Sequence, residues 1–228
     1  MSIYQQDASG ALFGPVELPP VPGGGILVPF GFVQINEPLA APEPGKAWSI
    51  VGGTAEQMDD HRGPVYDTQS GAPMDWRELG PLPDSVTPNP RPSGLHHWIE
   101  GHWALNPEAV HTAKVAEINQ ACETAITGGF ISSALGSPFE YGSQLEDQLN
   151  LTGAVLRGLD LAYPCRDDQG VKSFRPHTIE QLNLVSADFT LFNLQLLQKA
   201  NELKQQLDQA LADGDLDALE SLSWDGVQ

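Results

Sequence analysis

The stretch TIEQLNLVSADFTLFNLQLLQKANELKQQLDQALADG (178–214) decides the fold. Its apolar residues fall at Leu182, Val185, Phe189, Phe192, Leu196, Ala200, Leu203, Leu207 and Leu211. Steps of three or four residues place them on one face of a helix. Thr178 followed by Gln181 is a capping box at the front. Asp213-Gly214 is a stop at the back, since glycine takes the left-handed conformation at no steric cost. The spacing predicts a helix from Thr178 to about Leu211, a rod of roughly 50 Å at ~1.5 Å per residue. Such a rod needs a shorter helical element, or a second copy of itself, to cover its apolar face.

Composition bounds what the rest can be. The chain has 228 residues, with 11 Lys plus Arg against 30 Asp plus Glu, a net charge of -19. Phosphate recognition needs a basic footprint, so no nucleic acid partner is expected. An anionic membrane surface is disfavoured on the same ground, and no run approaches the ~20 apolar residues of a membrane span. MSIYQQDASG at the start lacks a basic region followed by an apolar core, so no secretory signal is expected. Cys122 and Cys165 are far apart and do not suggest a disulfide framework. These features predict a chain made and assembled in a cytoplasm.

Proline divides the chain. Fifteen of the 19 prolines and 13 of the 23 glycines lie in residues 1–94, which therefore cannot hold long helices. Residues 1–45 read as a Pro/Gly-rich arm, ordered only in part. Its one strongly apolar piece is ILVPFGFVQI (26–35), an edge strand or docking segment expected to be covered by the rest of its domain, with a partner chain as the alternative. KAWSIV, Gly52-Gly53 and TAEQM suggest a hairpin, as do VYD, TQSG (68–71) and APMDW. GPLPDSVTPNPRPSG (80–94) reads as a linker. LHHWIEGHWAL (95–105) is a hairpin turning at Glu100-Gly101, with Trp98 facing Trp103 and Ile99 facing His102.

From Asn106 the period becomes helical. Pro107 opens a helix whose apolar face is Val115, Ile118, Cys122, Ala125 and Ile126, ended by Gly128-Gly129. Residues 130–143 read as a turn-rich loop with one short strand. Ser143 and Glu146 suggest a second capping box for a helix through about Arg157. PCRDDQGVKSF (164–174) reads as a small hairpin. Asp215 caps a short terminal helix, and Trp224 is placed to fold back on the bundle.

Chemistry is sparse. His96, His97 and His102 lie close in sequence, but His97 and His102 fall outside the Trp98–Trp103 register and need not converge, so no metal is expected. Asp59-Asp60 and Asp167-Asp168 sit beside glycine-containing turns, where aspartate mostly makes turns. No Gly-Lys-Ser phosphate loop, GxSxG elbow or HExxH is present. No catalytic residue, cofactor or enzyme activity is therefore expected.

Two parts of the chain resemble phage tail-fibre proteins. Residues 113–211 carry EINQAC (117–122), GGFISSALG (128–136), Tyr141, Asp147-Gln148-Leu149-Asn150-Leu151 and HTIEQLNLVSADF (177–189). In this combination they resemble a domain of unknown function found in tail-fibre chains. Residues 46–104 carry KAWSIV (46–51), DDHRGPVYDTQSG (59–71), WRELGPLPD (76–84) and HHWIEGHW (96–103). These resemble bacteriophage tail-fibre assembly proteins. The resemblance implies a non-enzymatic chaperone that binds the C-terminal, distal end of a trimeric fibre in the host cytoplasm. Some members of that family stay at the fibre tip in the virion. Alternatives remain open: a fibre-tip or baseplate subunit that contacts the host surface receptor, or a hydrolase of surface glycan.

The expected fold is α+β. A small β-rich domain with its Pro/Gly-rich arm spans 1–105 and carries the fibre contact. A helical domain of tail-fibre type, with one long helix and a small β-hairpin, spans 106–228. The candidate partner-binding residues are Trp48, Arg62, Tyr66, Trp76, Trp98 and Trp103. Aromatic and Arg side chains are common interface anchors; the competing reading makes the tryptophans core. The long helix organises its own domain or an oligomer.

Overall fold

The computed structural model describes residues 1–21 and 25–225. The chain divides into two compact units, Met1–Ala104 and Leu105–Gln228, and the fold class is α+β.

Unit 1 is built from short strands. β1 (Ser2–Gln6), β2 (Leu12–Phe13) and β3 (Phe32–Ile35) form an antiparallel sheet in the order β2-β1-β3. Three short strands thus lie within the Pro/Gly-rich arm. Ser2–Gln5 pair with Phe32–Ile35 across the whole Pro-rich loop, and Ile3, Tyr4 and Ala11 are buried. β4 (Lys46–Val51) and β5 (Thr54–Asp59) form the expected hairpin, turning at Gly52-Gly53 with φ of 58° and 90°. Two positive φ angles make the tight turn that matches strand twist. β6 (Gly63–Asp67) pairs with β7 (Pro73–Trp76), as the turn chemistry predicts, and also with β8 (Val86–Thr87).

The strand β8 overturns the linker reading of 80–94. Val86 and Thr87 are buried, and the Arg91 guanidinium donates to the backbone carbonyls of Ser70, Gly94 and His96. A proline-rich segment can still be ordered when its few free N–H groups and a long side chain reach partners. β9 (His96–Ile99) and β10 (His102–Leu105) turn at Glu100-Gly101, both with positive φ.

Unit 2 contains α1 (Pro107–Thr127), capped by the Asn106 side chain, which accepts from the amides of Glu108 and Ala109. β11 (Phe130–Ser132) and β12 (Phe139–Tyr141) make a hairpin where a loop with one strand was expected. α2 (Leu145–Arg157) begins one residue later than the Ser143 box predicts. Asp147 accepts from the Gln144 amide, while Ser143 Oγ donates to the Ile126 carbonyl and accepts from Gly129 N–H. Ser143 thus ties the end of α1 to the start of α2. β13 (Leu161–Arg166) and β14 (Lys172–His177) complete a four-stranded antiparallel sheet, β11-β12-β13-β14.

α3 (Ile179–Asp213) runs 35 residues with Thr178 and Gln181 as its capping box and Gly214 in the left-handed conformation at its end. Leu182, Val185, Ala200, Leu203, Leu207 and Ala210 are buried. Its first half packs on α2 and the sheet, where Phe130, Tyr141, Leu151, Tyr163 and Cys165 form the core with Leu182 and Val185. Burial pushes the Tyr163 phenol up to about 12 and Tyr141 higher still. The second half packs against α1. His111 meets Asp208 at 2.7 Å, Lys204 donates to Asn119 at 3.1 Å, and Cys122 lies 3.6 Å from the Leu196 carbonyl. Partners descend on α3 as they ascend on α1, so the two helices are antiparallel. α4 (Leu216–Ser221), capped by Asp215, buries Leu219 against both. Trp224 folds back so that Lys199 Nζ lies 4.9 Å from its ring centroid.

Candidate contact surface

The six candidate residues all lie in unit 1, and none is fully buried or fully exposed. Arg62 follows β5. Its Nε and Nη2 donate to the two Asp60 carboxylate oxygens at 2.7 and 2.6 Å, and its Nη1 donates to Asp7 Oδ2 at 2.7 Å and Ser9 Oγ at 2.9 Å. The guanidinium carbon lies 5.9 Å from the Phe13 ring centroid. The Arg62 hydrogen bond holds the Asp60 carboxyl below its usual range, and the same pairing raises Arg62. Burial opposes the shift at Asp7, but bonds from Ser9 and Ala11 and the Arg62 charge still lower it. Arg62 therefore ties the β1–β2 turn to the end of β5, with little donor capacity left for a partner.

Arg62 also lies between two grooves. One, of about 360 Å³, is lined by Phe13, Leu39, Pro42 and Trp48. Its wall is clipped in place: the Trp48 indole N–H donates to the Ala40 carbonyl at 2.8 Å, and Tyr4 Oη accepts from Leu39 N–H at 2.9 Å. The other, of about 420 Å³, is lined by Asp7, Asp75, Trp76 and Arg77. The Trp76 indole N–H is buried and has no acceptor among the described residues. The structure thus brings Trp48, Arg62 and Trp76 together.

It does not bring the other three to them as one constellation. Tyr66 sits in β6 opposite Pro73 and Thr87. Trp98 and Trp103 meet edge to face with centroids 5.2 Å apart, as the hairpin reading requires. Trp103 donates to the Asn89 carbonyl at 2.9 Å and carries Arg91 over its ring at 5.6 Å. Trp103 thus pins the 80–94 segment.

The most exposed apolar group was legible only as part of an apolar run. Residues Ile26 and Leu27 are 55% and 71% exposed, and Phe30 is fully so. This corrects the expectation that the rest of the domain covers this piece. Phe32 N–H donates to the Pro29 carbonyl at 3.1 Å, and Gly31 has φ of 82°. That is a turn with glycine at its third position, which lifts Phe30 to the tip. Gln6 N–H, donating to the Gly31 carbonyl at 2.7 Å, fixes the turn to the end of β1. The signal was Pro29-Phe30-Gly31 itself.

Unit 2 holds a polar cavity of about 290 Å³ lined by Glu140, Ser143, Asp147, Arg166 and Lys172. Burial pushes the thiols of Cys122 and Cys165 up, which disfavours the thiolate a nucleophile needs. The described residues contain no group of three or more His, Cys, Asp and Glu placed to hold a metal ion. No helix among them is long and apolar enough to cross a membrane.

Residues 109–220 match a family described as a domain of unknown function, DUF4376. The chain is similar to Protein TfaD of Escherichia coli (strain K12). The two are 30% identical over 126 residues, 55% of this chain and 56% of that relative. The match thus spans just over half of each. No solved structure matches the chain.

Proposed function

We propose that this protein is a bacteriophage tail-fibre assembly chaperone. In this reading unit 1 binds the C-terminal, distal end of a trimeric fibre while the fibre folds, and the chain stays non-enzymatic throughout. The observation that carries the reading is the apolar segment Ile26–Phe30, whose turn is tied to the end of β1 and which nothing among the described residues of its own unit covers. A fully exposed phenylalanine beside two exposed aliphatic residues is the kind of patch that marks a protein interaction site. The resemblance of residues 46–104 to tail-fibre assembly proteins, the similarity to Protein TfaD and the match at 109–220 agree with that family.

Fibre chains give such a chaperone its task. They are β-rich and trimeric, with pairings far apart in sequence and open edges that aggregate while folding is slow. Phe30 supplies the central anchor in this account. Trp48, Arg62 and Trp76 supply the walls of the two grooves, and Tyr66, Trp98 and Trp103 keep the adjoining strands in place. Retention at the fibre tip, and contact with a host receptor there, extend the same reading.

The test is co-expression of a fibre C-terminal segment with the full chain. The fibre is expected to be soluble and trimeric with the native chain, and at least tenfold less soluble with Phe30→Asp plus Leu27→Asp. Equal fibre yields with native chain, variant and empty vector would rule the assignment out.

A further inference from the structure

Over the middle of α3, from Asn183 to Asn201, the outer face is uncharged on a chain of net charge -19. From Asn183 to Asn201 every exposed side chain is Leu, Ala, Thr, Asn or Gln. The nearest exposed charges are Glu180 before the strip and Glu202 after it. The two charged residues within it are turned to other tasks. Asp188 accepts from Ser132 Oγ at 2.5 Å, and Lys199 lies over Trp224. Along the strip stand Leu184, Leu191, Leu194 and Leu197, each about half exposed at 48%, 58%, 58% and 48%. Steps of seven, three and three keep them on one side of the helix. The core-facing leucines are a separate set on the opposite side.

We propose that this face is where a second copy of the same chain docks, α3 against α3, about a two-fold axis near Leu191. Charge selects this occupant. A basic partner would be drawn to the carboxylates elsewhere on the chain, not to a strip that lacks charge. A second copy carries the same excess of carboxylates and is repelled everywhere except where both surfaces are neutral. A two-fold interface is self-complementary, so one neutral strip serves both partners. An antiparallel crossing at Leu191 sets Leu184 of one copy against Leu197 of the other, with Asn and Gln side chains at the rim. Depletion of charge at the centre with a polar rim is the ordinary anatomy of such an interface. The area also suffices: ten exposed side chains offer roughly 600–800 Å², close to the ~800 Å² each partner gives to a standard interface.

The interface is independent of the fibre contact, which lies in unit 1. The experiment is sedimentation equilibrium of the full-length protein, from about 1 to 100 µM. A dimer is expected, and added salt is expected to tighten it by screening the like charges around the strip. Leu191→Glu plus Leu194→Glu is expected to raise the dissociation constant at least 100-fold with the helical circular dichroism unchanged. Should that pair unfold the chain, Leu194→Gln alone is expected to weaken the dimer about tenfold. Leu156→Glu, at an exposed leucine of α2, is expected to leave it intact. A monomer throughout the range, a trimer, or a dimer indifferent to the α3 changes would each overturn the proposal.

Discussion

Unit 2 is organised around a core and unit 1 is not. Of the buried apolar residues among those described, seventeen lie in unit 2 and six in unit 1, though the units are of similar length. Unit 2 folds a 35-residue helix against a sheet, two helices of 21 and 13 residues and a short fourth one, so burial comes from elements that each present a continuous apolar face. Unit 1 has no helix among its described residues and its sheets hold two or three strands each. It is held instead by side-chain hydrogen bonds: Arg91 to three backbone carbonyls, Trp103 to that of Asn89, Trp48 to that of Ala40, and Arg62 to the carboxylates of two aspartates. A small core leaves apolar side chains and strand edges available outside. On the proposed reading, unit 2 supplies scaffold and self-association and unit 1 supplies recognition.

The contrast can be broken most sharply in the core of unit 2. Leu182 is fully buried in the cluster around Phe130 and Tyr141. Leu182→Ala is expected to cost unit 2 about 2–5 kcal/mol. If the units fold separately, urea unfolding followed by helical circular dichroism moves to lower concentration. Tryptophan fluorescence, which reports mainly Trp48, Trp76, Trp98 and Trp103 in unit 1, is expected to stay in place. Concerted movement of both signals would mean one cooperative unit. In unit 1 the largest effect falls on Trp103, which is only half-buried. Trp103→Ala is expected to cost about 2 kcal/mol, below the ~3–5 kcal/mol of a fully buried aromatic. A loss under ~0.5 kcal/mol would show that the edge-to-face pair and the Asn89 bond do not hold the 80–94 segment.

Much of unit 2 was legible because its signals are local. Thr178, Gln181 and Gly214 mark the ends of α3 within a few residues of each boundary, and the spacing of Leu182, Val185, Leu203 and Leu207 names its face. The turns at Gly52-Gly53 and Glu100-Gly101 were legible for the same reason. What sequence hid was pairing at long range. Nothing near Ser2 tells of Phe32–Ile35 thirty residues on, and nothing in a five-proline stretch announces that Val86 and Thr87 join β6. The site followed the same rule. Residue type picked out tryptophans as anchors, but exposure depends on tertiary packing, and it is Phe30 that stands free. Arg62 carried no local sign that Asp7, distant in sequence, would occupy it.

A smaller effect tests how unit 1 is tied. Arg62→Met is expected to cost about 1 kcal/mol at neutral pH, as partly exposed ion pairs do. Asp7 and Asp60 have folded values below 3.8, so above that pH both states are ionised and the full benefit is present. As pH falls through 3.8 the unfolded chain takes up protons first, and the benefit is lost by the time the folded carboxyls protonate. The native and Arg62→Met proteins are therefore expected to differ at pH 7 and to converge in acid. A difference that persists unchanged in acid would show that Arg62 acts by packing on Phe13 alone.

The division of labour between the units stands or falls on where the fibre sits. Hydrogen–deuterium exchange of the full chain, with and without a trimeric fibre C-terminal segment, reads this directly. New protection is expected in residues 25–35 and at the strands flanking Trp48 and Trp76, with α3 unchanged by the fibre. Protection confined to residues 105–225, with the Phe30 turn exchanging as before, would contradict the account.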